Sequence, residues 1–136
     1  LDQQGILDTS AVIALGRITD ASLLPETPLI TAVTLAELAV GPLIAEDGSV
    51  RADRQTHLLF AEQNFDPLPF DREAARAFAG VAASLRRAGR KTSARAYDAM
   101  IAATAVACGL PVYTCNPHDF KAIDGLTVVA IDAPLA

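Results

Sequence analysis

Gly5-Ile6-Leu7-Asp8-Thr9-Ser10-Ala11-Val12-Ile13-Ala14-Leu15-Gly16 is the stretch on which the fold class turns. Gly5-Ile6-Leu7 is a short apolar run that stops at an acid, Asp8. Thr9 and Ser10 then offer N-cap chemistry for a helix through Ala11 to Leu15, with Gly16 as its expected close. A strand that passes into a helix with almost no loop is the opening of a β-α unit, and repetition of that unit builds a parallel sheet.

The rest of the chain repeats the alternation. Pro25 and Pro28 punctuate a loop, and Leu29 to Val33 reads as a second strand. Thr34 followed by Glu37 matches a capping box, opening a helix to about Leu43 that Pro42 should kink or stop. Asp47-Gly48 marks a turn. Arg51 to Asn64 reads as a helix burying Leu58, Leu59, Ala61 and Phe65, and Pro67 to Phe70 as a brief extended piece. Asp71 caps a helix in which Ala74, Ala75, Phe78, Ala82 and Leu85 recur at helical spacing, and Gly89 ends it. A helix from about Ala94 to Cys108 ends at Gly109, with Pro111 beyond. Pro111 to Cys115 and Leu126 to Ile131 read as strands, with one helical turn at Pro117 to Lys121 between them. The expected fold is α/β: a mainly parallel, short-stranded sheet with right-handed crossovers, covered on both faces. Ligands of such sheets bind beyond the carboxyl ends of the strands.

Composition narrows the choice. A chain of 136 residues predicts a single domain over 1–136, and 51% hydrophobic residues are ample for one core. Aromatics make up only 5% and Trp is absent, so the core is aliphatic. Cys108 and Cys115 form no CxxC, and the expectation is two reduced, buried thiols. His57 and His118 stand far apart, which disfavours structural zinc. The longest apolar stretch, Ala99 to Tyr113, is broken by Thr104, Gly109 and Pro111, and the N-terminus has no basic leader. The expectation is a soluble, cytoplasmic protein with no membrane segment. Net charge is −5, yet Arg86, Arg87, Arg90, Lys91 and Arg95 are five of the eleven basic residues. Distribution matters more than the total for nucleic-acid binding.

Four acids occupy telling positions. Asp8 ends the first strand, and Asp119 lies just past the Val112-Tyr113-Thr114 strand. Glu37 sits within Leu35-Ala36-Glu37-Leu38-Ala39-Val40, and Asp98 opens Ala99-Met100-Ile101-Ala102-Ala103. A carboxylate in an apolar segment is costly unless exposed, paired or bound to a cation. Each has a plain structural alternative: a strand-end cap for Asp8, half a capping box for Glu37, a first-turn dipole contact for Asp98, a loop position for Asp119. Together they are placed where one cleft gathers them. Carboxylates sharing a cleft without His or Cys repel one another and call for a hard cation, Mg²⁺ or Mn²⁺. Such a site suits phosphodiester hydrolysis.

These residues resemble a known family. Leu7-Asp8-Thr9-Ser10 resembles the opening motif of PIN domains, and Thr34-Leu35-Ala36-Glu37-Leu38 with Gly41 their second. Tyr97-Asp98-Ala99-Met100-Ile101-Ala102-Ala103-Thr104-Ala105 resembles the third and is the most specific. Leu110 to Phe120 resembles the fourth, in the same order along essentially the whole chain. The nearest group is VapC, the ribonuclease toxins of bacterial toxin–antitoxin pairs. The resemblance implies a PIN-like three-layer α/β/α fold and metal-binding catalytic acids at Asp8, Glu37, Asp98 and Asp119. It implies Mg²⁺- or Mn²⁺-dependent cleavage of RNA, tRNA or rRNA among the candidates, a homodimer, and a VapB-type antitoxin partner. It leaves open whether Asn116 or Asp119 completes the metal set. Thr9, Ser10, Thr114 and Asn116 are candidates for orienting the carboxylates. Arg87, Arg90, Lys91 and Arg95 are candidates for holding RNA phosphates, with a solvated helix end as the alternative. Tyr97 is either a base-stacking ring or a packed one.

Other classes fit less well. A haloacid-dehalogenase-type phosphatase needs a second Asp two residues after the first, where this chain has Ser10. No G-x-G-x-x-G follows the first strand, and no P-loop occurs. The main competitor is a catalytically silent PIN-like module that binds RNA or a partner.

Overall fold

The computed structural model describes residues 3–133. Strand β1 (Gln4–Leu7) lies inside a four-stranded sheet of order β2-β1-β3-β4, with β2 at Thr27–Leu29, β3 at Val112–Thr114 and β4 at Val128–Ala130. All three pairings are parallel; Ile6 sits opposite both Leu29 and Val112, and Val112 opposite Val128. Among the described residues five helices cover the sheet: α1 (Thr9–Ala14), α2 (Ala32–Ile44), α3 (Gly48–Asn64), α4 (Arg72–Arg87) and α5 (Ala96–Cys108).

The period-two alternation of β1 divides the core. Ile6 is fully buried among Val81 and Leu85 of α4 and Ala99, Ile101, Ala102 and Ala103 of α5. Leu7, its neighbour, is fully buried among Ala11 and Val12 of α1, Leu38 of α2 and Ala61 of α3. Two adjacent residues thus feed two helical layers, which gives the three-layer α/β/α architecture. Alanines line the buried side of α5, which packs chiefly against α4.

Several local expectations shift. The second strand is Thr27–Leu29, earlier than Leu29–Val33. Pro28 does not exclude it, because β2 is an edge strand and needs no donor on its outer side. The chain stays extended through Thr31, which forms an isolated parallel bridge with Leu68 of the Pro67–Phe70 piece. Asp8, rather than Thr9 or Ser10, caps α1, and Gly16 lies within a following 3-10 turn (Leu15–Arg17) at negative φ.

Helix α2 begins earlier than the Thr34–Glu37 box implied. Thr31 is its N-cap, accepting from Thr34 N–H at 3.3 Å. Glu37 is therefore mid-helix, so the capping explanation for it falls. The helix also runs through Pro42 to Ile44. Its last carbonyls are satisfied by α3: Arg54 donates to Gly41 O at 3.0 Å and Arg51 to Ala45 O at 2.9 Å. Asp47 caps α3, which starts at Gly48 rather than Arg51. Its inner stripe is Leu58, Ala61 and Phe65; Leu59 falls off that stripe and is 53% exposed. On α4, Val81 takes the core position and Ala75 faces out. Gly89 and Gly109, at φ 76° and 67°, end α4 and α5 as the sequence implied. Both cysteines are free, but neither is fully buried: Cys108 is exposed at the outer end of α5, and Cys115 is half-buried.

Candidate active site

Asp8 holds its place through three donors. Its Oδ1 accepts from Ala11 N–H at 2.9 Å and from the Ser10 hydroxyl at 2.7 Å, and its Oδ2 accepts from the Thr114 hydroxyl at 2.6 Å. The hydroxyl directions are settled by their own neighbours. Ser10 Oγ accepts from Cys115 N–H at 3.1 Å, and Thr114 Oγ1 accepts from Asn116 N–H at 2.9 Å. Each hydroxyl has a single proton, and each directs it to Asp8. The strand-end cap and the cleft carboxylate are thus the same group. Burial pushes the Asp8 carboxyl above its ordinary pKa, these three donors pull back, and the Asp119 charge pushes it further up.

Glu37 reaches the cleft from the middle of α2. The Thr9 hydroxyl donates to its Oε1 at 2.6 Å and lies 3.1 Å from the hydroxyl of Thr34, which is fully buried. Burial raises the Glu37 pKa, the Thr9 bond opposes this, and the Asp8 charge adds to the rise. Asp98 stands in the first turn of α5, half-buried. Its carboxyl is pushed up to about 6, first by burial and then by the charges of Asp119, Glu37 and Asp8; the Arg95 charge alone pulls it down.

Asp119 lies on a 3-10 turn, Pro117–Phe120, whose Phe120 is 1% exposed in the core. Burying a ring of that size stabilises by about 1.5–3 kcal/mol, enough to fix the turn. Two arginines close over it. Arg95 pairs with the Asp119 carboxylate. Arg90 donates to the His118 carbonyl at 2.7 Å, and its guanidinium lies 3.1 Å from His118 Nε2, which must therefore accept.

The structure brings Asp98 into electrostatic reach of the other three acids, and Asp8 into reach of Glu37 and Asp119, from four separate elements. Thr9, Ser10 and Thr114 are their hydrogen-bond partners. Asn116 acts through its backbone: its N–H holds Thr114, its carbonyl accepts from Asp119 N–H at 3.0 Å, and its side chain is exposed. The basic stretch divides. Arg90 and Arg95 reach the Asp119 turn, and Lys91 is exposed between them in sequence. Arg87 pairs instead with Asp124 at 2.8 Å on an exposed surface. Thr34 was legible only as a cap, because nothing in its spacing shows that its hydroxyl meets Thr9 across 25 positions.

A cleft of about 500 Å³ opens here, lined by Glu37, Ser93, Arg95, Ala96, Tyr97 and Asp98. Its donor chemistry suits a hard cation: oxygen ligands only, with protonation favoured by mutual repulsion. Among the described residues no three His, Cys, Asp or Glu side chains form a closed metal-holding group as they stand. Asp119 is turned to Arg95, and an ion that retains several waters needs no closed protein cage.

A family model described as PIN domain matches residues 6–126. The chain is 42% identical over 129 residues to Ribonuclease VapC5 of Mycobacterium tuberculosis, covering 93% of each. It is 33% identical over 129 residues to Ribonuclease VapC of Rickettsia bellii, covering 93% of this chain and 95% of that one. The crystal structure of VapBC-5, a toxin–antitoxin system of Mycobacterium tuberculosis, matches with a TM-score of 0.81 at 37% identity, over 94% of this chain and 98% of that one. The acids at the strand ends, the three-layer fold and these relatives agree: the chain belongs to the PIN-domain family and, within it, to the VapC ribonucleases.

Proposed function

We propose that this chain is a Mg²⁺- or Mn²⁺-dependent endoribonuclease and the toxin of a toxin–antitoxin pair, with Asp8, Glu37, Asp98 and Asp119 as its metal-binding acids. One observation carries the reading: the three acids with raised pKa are raised by burial and by other acids of the same four. That arrangement costs stability in the chain alone and is relieved by a cation. When bound, the metal supplies an activated water and stabilises charge on the phosphorus and leaving oxygen. The chain's own residues do the positioning. Ser10 and Thr114 fix both oxygens of Asp8, and Thr9 fixes Glu37. Arg90, Lys91 and Arg95 place positive charge beside an otherwise repulsive cleft, where RNA phosphates need it. Arg87 does not line the cleft and pairs with Asp124 instead.

The partner reading has its own support. The solved VapBC-5 neighbour is a toxin–antitoxin system. In this chain a groove of about 420 Å³, lined by Val12, Ile13, Leu15, Arg17, His57 and Phe60, leaves Ile13 38% and Phe60 41% exposed. Exposed apolar surface of this kind suits a partner segment, a VapB-type antitoxin in this reading. A homodimer is part of the same proposal. No helix among the described residues is long and apolar enough to cross a membrane.

The test is cleavage of labelled RNA in Mg²⁺ or Mn²⁺ and in EDTA, beside an Asp98→Asn variant purified identically. Cleavage that needs metal and disappears in the variant supports the nuclease. Equal behaviour of the two proteins across several RNAs favours the silent binding module instead. Growth arrest on expression, relieved by the neighbour-encoded partner, tests the toxin role separately.

A further inference from the structure

Four threonines among the described residues are buried to 1% exposure or less: Thr31, Thr34, Thr104 and Thr114. A buried hydroxyl is costly unless it is bonded, and valine fills much the same space without that cost. Three of the four have a plain use. Thr114 donates to Asp8 at 2.6 Å, Thr31 caps α2, and Thr104 donates back to the Met100 carbonyl at 3.0 Å. The Thr34 hydroxyl is not needed as a cap, because Thr31 Oγ1 already accepts from Thr34 N–H. What it meets is the hydroxyl of Thr9, at 3.1 Å and 25 positions away in sequence.

Thr9 has one proton to give, and it also lies 2.6 Å from Glu37 Oε1. An ionised carboxylate offers only lone pairs, so that proton goes to Glu37. The contact between the two hydroxyls is then filled by the proton of Thr34. The three groups form a chain with one direction, from Thr34 to Thr9 to Glu37. Its ends stand one turn apart on α2, and its middle member is the first residue of α1. The hydrogen bond that Thr9 accepts polarises the one that it donates. It also keeps the Thr9 proton from turning to Thr34, which would leave Glu37 without its donor. We propose that Thr34 is a positioning residue of the acid site: through Thr9 it holds the Glu37 carboxylate in place for the cation, while itself touching neither metal nor RNA. Thr34 lies outside the cleft lining, as that role requires. The proposal rests on the ribonuclease reading and adds to its machinery a residue from the core.

The test is calorimetric titration of Mn²⁺ into the metal-free wild-type chain, Thr34→Val, Thr34→Ser, Thr9→Val and the Thr9→Val, Thr34→Val double variant at pH 7, with stability to denaturant measured on each. Thr34→Val should bind Mn²⁺ about three- to tenfold more weakly, and Thr34→Ser, which keeps the proton, within about twofold of wild type. In the Thr9→Val background the Thr34→Val change should alter affinity by no more than about twofold, because the path runs through Thr9. Should the valine variant fail to fold, Thr34→Ala, smaller and equally without a proton, takes its place. Thr34→Val that is less stable but keeps its Mn²⁺ affinity shows a packing role and overturns the proposal. So does a loss that serine fails to restore, or one that persists undiminished without the Thr9 hydroxyl. In these cases metal binding and RNA cleavage by the wild-type chain leave the ribonuclease reading standing. A wild-type chain that neither binds Mn²⁺ nor cleaves RNA overturns both.

Discussion

At the scale of single residues, Asp98 is the most informative group. Its folded pKa, about 6, lies above the ordinary 3.8, so between those values the folded chain holds more protons than the unfolded one. Stability contributed by this carboxyl is therefore present at low pH and lost as pH rises through about 6. In EDTA at pH 7, Asp98→Asn should raise the melting temperature, with a gain of about 1–2 kcal/mol, less than the whole shift is worth because water screens a half-buried carboxylate. The gain should shrink toward pH 4; a variant less stable than wild type at pH 7 would contradict the origin of the shift. The hydroxyls make a second comparison. Thr114→Val keeps the shape but strips a donor from buried Asp8 and an acceptor from Asn116 N–H, at about 1–3 kcal/mol. Thr9→Val should cost only about 0.5–1.5 kcal/mol, since half-buried Glu37 can turn to water. Chemical denaturation of the two variants orders them. All four acids stand out as candidates in the sequence, because Glu37 and Asp98 interrupt apolar runs, Asp8 ends a strand and Asp119 lies just past one. The pairing of Arg95 with Asp119 was not, because it joins positions 24 apart through a turn whose path only the tertiary fold sets.

At the scale of elements, the sheet depends on how closely β1 and β3 approach. A Cβ at Gly5 would land on the Tyr113 ring and crowd Pro25, and both strands carry site residues at their ends. Gly5→Ala should cost about 1–3 kcal/mol and reduce RNA cleavage as well, because moving β3 moves Thr114 away from Asp8. Loss of stability with unchanged cleavage would show that the strand ends are positioned independently. Helix ends with a glycine beyond them, α4 and α5, were readable to within about two residues. The start of α2 was misread because two threonines three apart, Thr31 and Thr34, both offer cap chemistry, and only the bridge between Thr31 and Leu68 decides between them. Strand β2 was displaced for a similar reason: Pro28 reads as a loop residue unless the strand is known to be an edge.

At the scale of the whole molecule, a chain of net charge −5 sets Glu37 and Asp98 in one cleft, holds Asp8 and Asp119 within electrostatic reach of Asp98, and places Arg95 beside them. The fold accepts the repulsion because four elements, each anchored in the aliphatic core, hold the carboxylates from different directions. If the four acids hold the metal as proposed, binding belongs to the set and not to any one acid. The most direct measurement is a calorimetric titration of Mn²⁺ into the metal-free wild-type chain, Asp8→Asn and Asp98→Asn at pH 7. Binding weakened by about tenfold or more in each variant, with protons released on binding when the titration is repeated near pH 6, is the predicted result. Unchanged Mn²⁺ affinity in either variant would contradict the account of the four acids as one site.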